Sequence, residues 1–237
     1  MSKAYFITGT STNVGKTLVA AGLLAAAAKQ GLSTLGFKPV AAGCKMTSDG
    51  LRNEDALQLL AQTNLPVSYE QVNPVTLEPA IAPHIAAAEA GRRLSADRLA
   101  GFYRGVMMQR PDFTVVEGAG GWRVPLNDRE TFADLAKVMQ LPVVLVVGVD
   151  LGCINHALLT AEAIQRDGLI LAGWVANQVV PEMDRYQDNL ATLQRWIPCP
   201  MIGEVFHQPG VSAEQVAEQL RLNVLLGVST VSEYKQS

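Results

Sequence analysis

Lys16 and Thr17 close the run Gly9-Thr10-Ser11-Thr12-Asn13-Val14-Gly15-Lys16-Thr17, which follows the apolar stretch Ala4-Tyr5-Phe6-Ile7 and precedes a helix-forming segment, Leu18 to Lys29. A strand, a tight loop and a helix start in that order bring successive backbone N–H groups and the positive end of a helix dipole to one point, which suits a polyphosphate. Lys16 adds a full charge over the β/γ-phosphates, and the Thr17 hydroxyl suits a Mg²⁺ held by them. The plainer alternative is a βα turn with an exposed lysine. Gly-Lys-Thr at a strand-to-helix junction favours the phosphate site. Five residues, not four, separate Gly9 from Gly15, which marks a subfamily of such loops.

Other residues with chemical potential fall at the ends of apolar strand patterns. Lys38 ends one of them, and open α/β sheets bind ligands outside the carboxyl ends of their strands; taken alone, a surface lysine is the slightly better reading. Asp55 is either a first-turn acid favoured by the helix dipole or a metal-directed carboxylate. Glu117 follows the strand pattern Phe113-Thr114-Val115-Val116, where a second carboxylate for a Mg²⁺ shell is expected. A carboxylate after a buried strand needs a partner, so the metal role is preferred to a glycine-rich turn. Gly118-Ala119-Gly120-Gly121 lets backbone approach a ligand closely. Asn177, at another strand end, presents donor and acceptor to a nucleobase edge, with turn formation as the competing reading. Gly152-Cys153-Ile154-Asn155-His156 leads into a helix from Ala157 to Gln165, whose start is an anion site without a lysine, suited to a carboxylate. His156 and the lone His84 are given no catalytic role.

These residues must be positioned by regular elements, and the pattern alternates strand and helix throughout. Strands are expected at Ser33–Val40, Phe113–Val116, Pro142–Val149, Leu169–Asn177 and Pro200–Val205. Helices are expected from Ala56 to Leu60, Ser95 to Gln109, Thr131 onward, Asp184 to Trp196 and Ser212 to Leu226. Ala41 to Leu51 reads as a polar loop, and the proline-bearing stretch 64–94 as a long excursion with short helical pieces. The uninterrupted apolar run Leu141 to Val149 is typical of a parallel sheet covered on both faces. One α/β domain over 1–226 follows, with a loose tail at 227–237.

Composition narrows the partners. Among 237 residues the net charge is only −3 and basic residues are dispersed, which argues against nucleic acid. Apolar runs fall short of the ~20 residues that cross a bilayer, and no secretory signal is visible, so a cytoplasmic protein with no membrane partner is expected. Cys44, Cys153 and Cys199 have neither metal spacing nor a disulfide pattern.

With these pieces in place, the chain resembles the dethiobiotin synthase family almost end to end. The resemblance is carried by Gly9 to Thr17 with its five-residue spacing, Lys38-Pro39-Val40, Leu51-Arg52-Asn53-Glu54-Asp55-Ala56, Val72-Asn73-Pro74, Val116 to Trp122, Gly152 to Ala157 and Trp174-Val175-Ala176-Asn177. It implies a P-loop doubly wound, mostly parallel sheet. The activity implied is ureido-ring closure from 7,8-diaminononanoate, CO₂ and ATP-Mg²⁺, through a carbamate and a mixed carbamic-phosphoric anhydride. By the same resemblance Lys16, Lys38 and Thr12 serve the reacting groups, and Thr17, Asp55 and Glu117 hold Mg²⁺. Backbone from Asn13, Val14, Gly15 and Lys16 through Leu18 wraps the phosphates, with Gly118, Ala119 and Gly120 nearby. Asn177, Gln178 and the loop Phe206-His207-Gln208 take the base. Ala42, and Gly152, Cys153, Ile154 and Asn155 from across a homodimer boundary, hold the diamine substrate. Departures are Asn13 where a glutamate is common, Ala42 where a serine often stands, Gln178 for a frequent acid, and no proline directly after the last strand.

Three other readings compete. A partitioning or cluster-scaffold switch ATPase would carry a second lysine where Ser11 stands. An amidoligase would normally come with a glutaminase domain, for which there is no room. A paralogue without the reaction has only Asn13 and Ala42 in its favour.

Overall fold

The computed structural model describes residues 2–227, so the expected tail lies outside the described residues from 228 onward. In chain order the first half comprises β1 (Lys3–Gly9), α1 (Lys16–Lys29), β2 (Thr34–Phe37), β3 (Val40–Ala42), β4 (Lys45–Thr47), β5 (Gly50–Arg52), α2 (Glu54–Ala61), α3 (Tyr69–Val72), β6 (Val75–Leu77), α4 (Pro83–Glu89) and α5 (Ala96–Val106). The second half comprises β7 (Phe113–Gly121), α6 (Phe132–Met139), β8 (Val143–Gly148), α7 (Cys153–Arg166), β9 (Leu171–Asn177), α8 (Tyr186–Trp196), β10 (Met201–Val205), α9 (Ala213–Ala217) and α10 (Leu222–Leu226).

Six strands form one wholly parallel sheet in the order β10-β9-β8-β1-β7-β2. Every residue of β8 is buried, because an all-apolar strand has no face for water. Side chains alternate across the sheet. Phe6, Val116, Leu145 and Trp174 pack on one face beneath Leu99, Phe132, Ala157 and Leu190 of α5 to α8. Ile7, Val115, Val144 and Val175 pack on the other against Leu23 and Leu24 of α1 and Val216 and Leu225 of the closing helices. The register sets Ile7 beside Glu117 and Gly148 beside Asn177, so the chemistry-bearing positions collect along one edge of the sheet.

Several elements differ from the sequence expectation. The expected strand Ser33–Val40 splits at Pro39, which has no N–H to donate, and β3 leaves the main sheet to pair with β6. The expected loop Ala41–Leu51 contains the antiparallel hairpin β4–β5. The third expected strand runs on through the glycines to Gly121. Helix α7 starts at Cys153, not Ala157, because Gly152 turns the chain at φ 98° and Cys153 packs into the core. The expected closing helix Ser212–Leu226 is broken. Leu220 bridges to Gly203 and the Arg221 N–H donates to Ile202 O at 2.7 Å, so the edge strand β10 captures the segment between α9 and α10.

That capture depends on the absence of a side chain at Gly203: a Cβ there would lie 2.4 Å from Gln219 O and 2.8 Å from Leu220 Cδ2. Gly203→Ala is expected to cost about 1–3 kcal/mol through overpacking, seen as a lower urea midpoint with an unchanged slope; an unmoved midpoint would contradict this packing.

Candidate nucleotide site

The loop from Gly9 to Thr17 is held from three sides. Its start is tied to β8 by Thr10 N–H donating to Val146 O at 3.0 Å. Two of its residues take left-handed backbone, Asn13 at φ 61° and Gly15 at φ 86°. Asparagine adopts that conformation more readily than glutamate, which gives a local reason for the residue found at 13. At Gly15 a Cβ would fall 2.2 Å from Asn177 Nδ2. Asn177 is buried, and its amide donates to Val14 O at 2.9 Å. The residue read as a base contact therefore also clamps the phosphate loop. Lys16 curls back so that its ammonium donates to Ser11 O at 3.1 Å. Burial pushes the Lys16 ammonium down to about 8, against the opposing pull of Glu117. A phosphate anion there would restore the charged form.

Beside the loop lies a buried charge cluster. Phe37 and Val116 are register partners in β2 and β7, so the next residues, Lys38 just past the end of β2 and Glu117 still within β7, stand side by side. Lys38 Nζ donates to Glu117 Oε1 at 2.5 Å and to Asp55 Oδ2 at 3.0 Å. Burial alone would depress Lys38, but Glu117 and Asp55 outweigh it and hold the ammonium above its ordinary value. Asp55 is in the first turn of α2, as one of its two sequence readings has it, and its carboxylate faces Lys38. Asn53 caps that helix by accepting the Ala56 N–H at 3.2 Å. Burial pushes the Asp55 carboxyl up, but Lys38, with the Thr17 hydroxyl and Lys16, draws it below the usual carboxylate range.

Thr17 Oγ1 donates to Glu117 Oε1 at 2.9 Å, which unites the loop with the cluster. Glu117 Oε2 is buried without a hydrogen-bond partner, an unfilled acceptor on the carboxylate that Lys38 and Thr17 share. An orphaned carboxylate oxygen, a second carboxylate and a hydroxyl form an all-oxygen donor set that fits Mg²⁺ completed by substrate phosphates. Among the described residues no cluster of three or more His, Cys, Asp or Glu offers an alternative metal site. Thr12 stands against the glycine strand, since a Cβ on Gly120 would lie 3.4 Å from Thr12 Oγ1.

The remaining expected base contacts also meet. Asn13, Leu18, Asn177, Gln178, Phe206, His207 and Gln208 border one cavity of about 180 Å³ at the loop's outer side. The His207 N–H donates to Gln178 Oε1 at 3.3 Å, which couples the two halves of that cavity. Ala42 closes β3, and its carbonyl accepts from Asn53 Nδ2 at 3.3 Å. Gly152–Asn155 stand apart: among the described residues no hydrogen bond or ion pair links them to the Lys38 cluster. Cys153 is buried and its N–H is used by Asp150 O at 3.1 Å, which leaves the first-turn donors of Ile154 and Asn155 for an anion. Sequence reading missed the direct pairing of Lys38 with residues 17 and 79 positions away, for which no periodicity exists.

A parallel doubly wound sheet with this loop at its carboxyl edge defines a nucleotide-binding protein of the P-loop kind. Solved structures agree on the fold: the septum site-determining protein MinD of Pyrococcus horikoshii OT3, complexed with Mg-ADP, aligns over 100% of both chains at TM-score 0.59 and 16% identity. A ParA family ATPase of Chlorobium tepidum TLS aligns over 96% of this chain and 97% of its own at TM-score 0.56 and 11% identity. A family model described as an AAA domain matches residues 3–215. Curated relatives are nearer. The ATP-dependent dethiobiotin synthetase of Cellvibrio japonicus (strain Ueda107) is 63% identical over 94% of this chain and 98% of its own length. That of Pseudomonas paraeruginosa (strain DSM 24068 / PA7) is 59% identical over 94% and 97%. The chain belongs to the dethiobiotin synthetase family.

Gly15→Ala would combine left-handed strain with the Asn177 contact. Each such strain costs about 1–3 kcal/mol, so nucleotide affinity by calorimetry should fall at least about tenfold. Wild-type affinity in that variant would show that the loop is not the binding element.

Proposed function

We propose that the chain closes the ureido ring of dethiobiotin from 7,8-diaminononanoate, CO₂ and ATP, releasing ADP and phosphate. The observation that carries the reading is the buried Lys38–Glu117–Asp55 cluster joined through Thr17 to the phosphate loop, in a chain of this family. One amine adds to CO₂ with loss of a proton, giving a carbamate. A carbamate oxygen attacks the γ-phosphorus as ADP leaves; the second amine then attacks the carbamoyl carbon and phosphate departs. The amines attack as neutral nucleophiles, the second losing its proton as the ring closes, but the carbamate, the triphosphate and the mixed anhydride are all anionic, so the protein's task is positioning and charge neutralisation.

Backbone N–H groups from Asn13 to Leu18 hold the phosphates, with Lys16 over them. Lys38 keeps its charge throughout because two carboxylates flank it, and it lies on the side where carbamate and γ-phosphate meet. Thr12 presents a hydroxyl to the same place from across Gly120. Thr17, Asp55 and Glu117 would hold Mg²⁺, which when bound offsets charge on the phosphate oxygens. Adenine is assigned to the cavity between Asn177 and the Phe206-His207-Gln208 loop.

The diamine's carboxylate is assigned to the start of α7 in the partner subunit of a homodimer, with Ala42 beside the chain's own diamine end. Two features support this. The α7 start is not linked to its own Lys38 cluster, and two apolar residues near it, Leu151 before the helix and Leu159 one turn past Asn155, are 95% and 57% exposed. No described helix is long and apolar enough to cross a membrane. The free cysteines Cys44, Cys153 and Cys199 suit the reducing cytoplasm, where cell fractionation should recover the protein.

Purified protein with ATP and Mg²⁺ should release ADP only when both the diamine and bicarbonate are present, with dethiobiotin detected by mass. Turnover indifferent to the diamine would favour a switch ATPase. Lys38→Ala should lose kcat by orders of magnitude more than ATP affinity, since its substrate partner forms during reaction; parallel losses would remove it from the chemistry. Sedimentation should give a dimer, and a monomer of full activity would exclude the shared site.

A further inference from the structure

Behind the charge cluster lies a polar network that the reaction as described does not use. Asn73, 1% exposed at the end of α3, donates from Nδ2 to Lys38 O at 2.6 Å and to Val75 O at 3.3 Å. Its Oδ1 accepts from the Tyr69 hydroxyl at 3.0 Å. That hydroxyl in turn accepts the Asn53 N–H at 2.8 Å. Asn53 accepts the Ala56 N–H and donates to Ala42 O. Three buried side chains thus tie the backbone of Lys38 to the backbone of Ala42 and to the first turn of α2, which carries Asp55. The Arg52 guanidinium covers the Tyr69 ring at 4.2 Å and pairs with Glu70 at 3.1 Å, closing the network against solvent.

An apolar filling of the same space would hold the chain as well, without matching polar partners. A fully satisfied polar network holds it in one geometry, because any shift leaves a buried donor or acceptor unpaired. What this geometry sets is the separation of Lys38 from Asp55, which sit on different elements joined by the strand break at Pro39 and the exposed β4–β5 hairpin.

We propose that Asn53, Tyr69 and Asn73 are positioning residues for the reaction: they fix the Lys38 backbone relative to the α2 start, and so fix Lys38 Nζ against the carboxylate of Asp55. None of them touches the substrates. The proposal rests on the assignment of Lys38 and Asp55 made above.

Tyr69→Phe is the sharpest probe, since it deletes one hydroxyl and keeps the ring and its Arg52 contact. It should lower kcat about tenfold, leave the ATP KM within about twofold, and raise the Mg²⁺ concentration for half-maximal rate. Independently of turnover, calorimetry should show ADP affinity without Mg²⁺ unchanged and its enhancement by Mg²⁺ reduced severalfold. Asn73→Ala should act in the same direction, and the double variant should be no worse than the worse single one, because both break one chain of hydrogen bonds. A Tyr69→Phe protein with wild-type kcat and Mg²⁺ linkage, altered only in unfolding temperature, would overturn the proposal, as would additive losses in the double variant. Should the wild type itself make no dethiobiotin, the functional reading falls, and the Mg²⁺–ADP calorimetry alone decides the positioning role.

Discussion

The ion pair between Lys38 and Glu117 is the constraint around which the rest of this molecule is arranged. Both side chains are taken out of water, and removing one partner from a buried pair typically costs about 3–5 kcal/mol. The pair exists because β2 and β7 are parallel neighbours whose register brings Phe37 opposite Val116, so the chain must deliver a lysine and a glutamate to the same point. A slip of one residue in β2 would turn its side chains to the other face and separate Lys38 from Glu117. The register of the sheet and the integrity of the site are therefore one requirement.

Around that pair, fold and chemistry compete for the same space, and the competition is visible in the glycines and in the buried polar groups. Gly15 is needed because Asn177 reaches across to hold the loop, and Gly118 because the Phe6 ring lies 3.2 Å from where its Cβ would be. Lys16, Lys38, Asn53, Asn73, Glu117 and Asn177 are all buried near one edge of the sheet, while the remaining core is almost wholly apolar. Helices α1, α9 and α10 on one face and α5 to α8 on the other supply the stability that lets this edge keep an orphaned carboxylate oxygen and a lysine depressed to about 8. Such features are unfavourable in an empty site and favourable once anions and a cation occupy it.

The two ends of the site differ in how they are built. The residues proposed for phosphate and base come together within one chain, from the loop, β7, β9 and the segment after β10. The turn at Gly152–Asn155 makes no hydrogen bond or ion pair with the Lys38 cluster among the described residues, and Leu151 beside it is almost fully exposed.

The fold class, the strand–loop–helix around Gly9 to Thr17, the parallel character of β8 and the placing of Asn177 at a strand end were legible without coordinates, because each rests on local order: apolar runs, glycine spacing and a helix start. Lys38 taken alone read slightly better as a surface residue, and Asp55 stayed divided between first-turn acid and metal-directed carboxylate, because the two partners of Lys38 lie 79 and 17 residues from it. The split at Pro39, the β4–β5 hairpin and the break after α9 were also invisible, since each is decided by which strand edge is available for pairing. By itself the sequence determined what groups the protein carries and which local turns present them. Only the tertiary structure decided which groups meet, because strand register and buried hydrogen bonds act between residues that no sequence window contains.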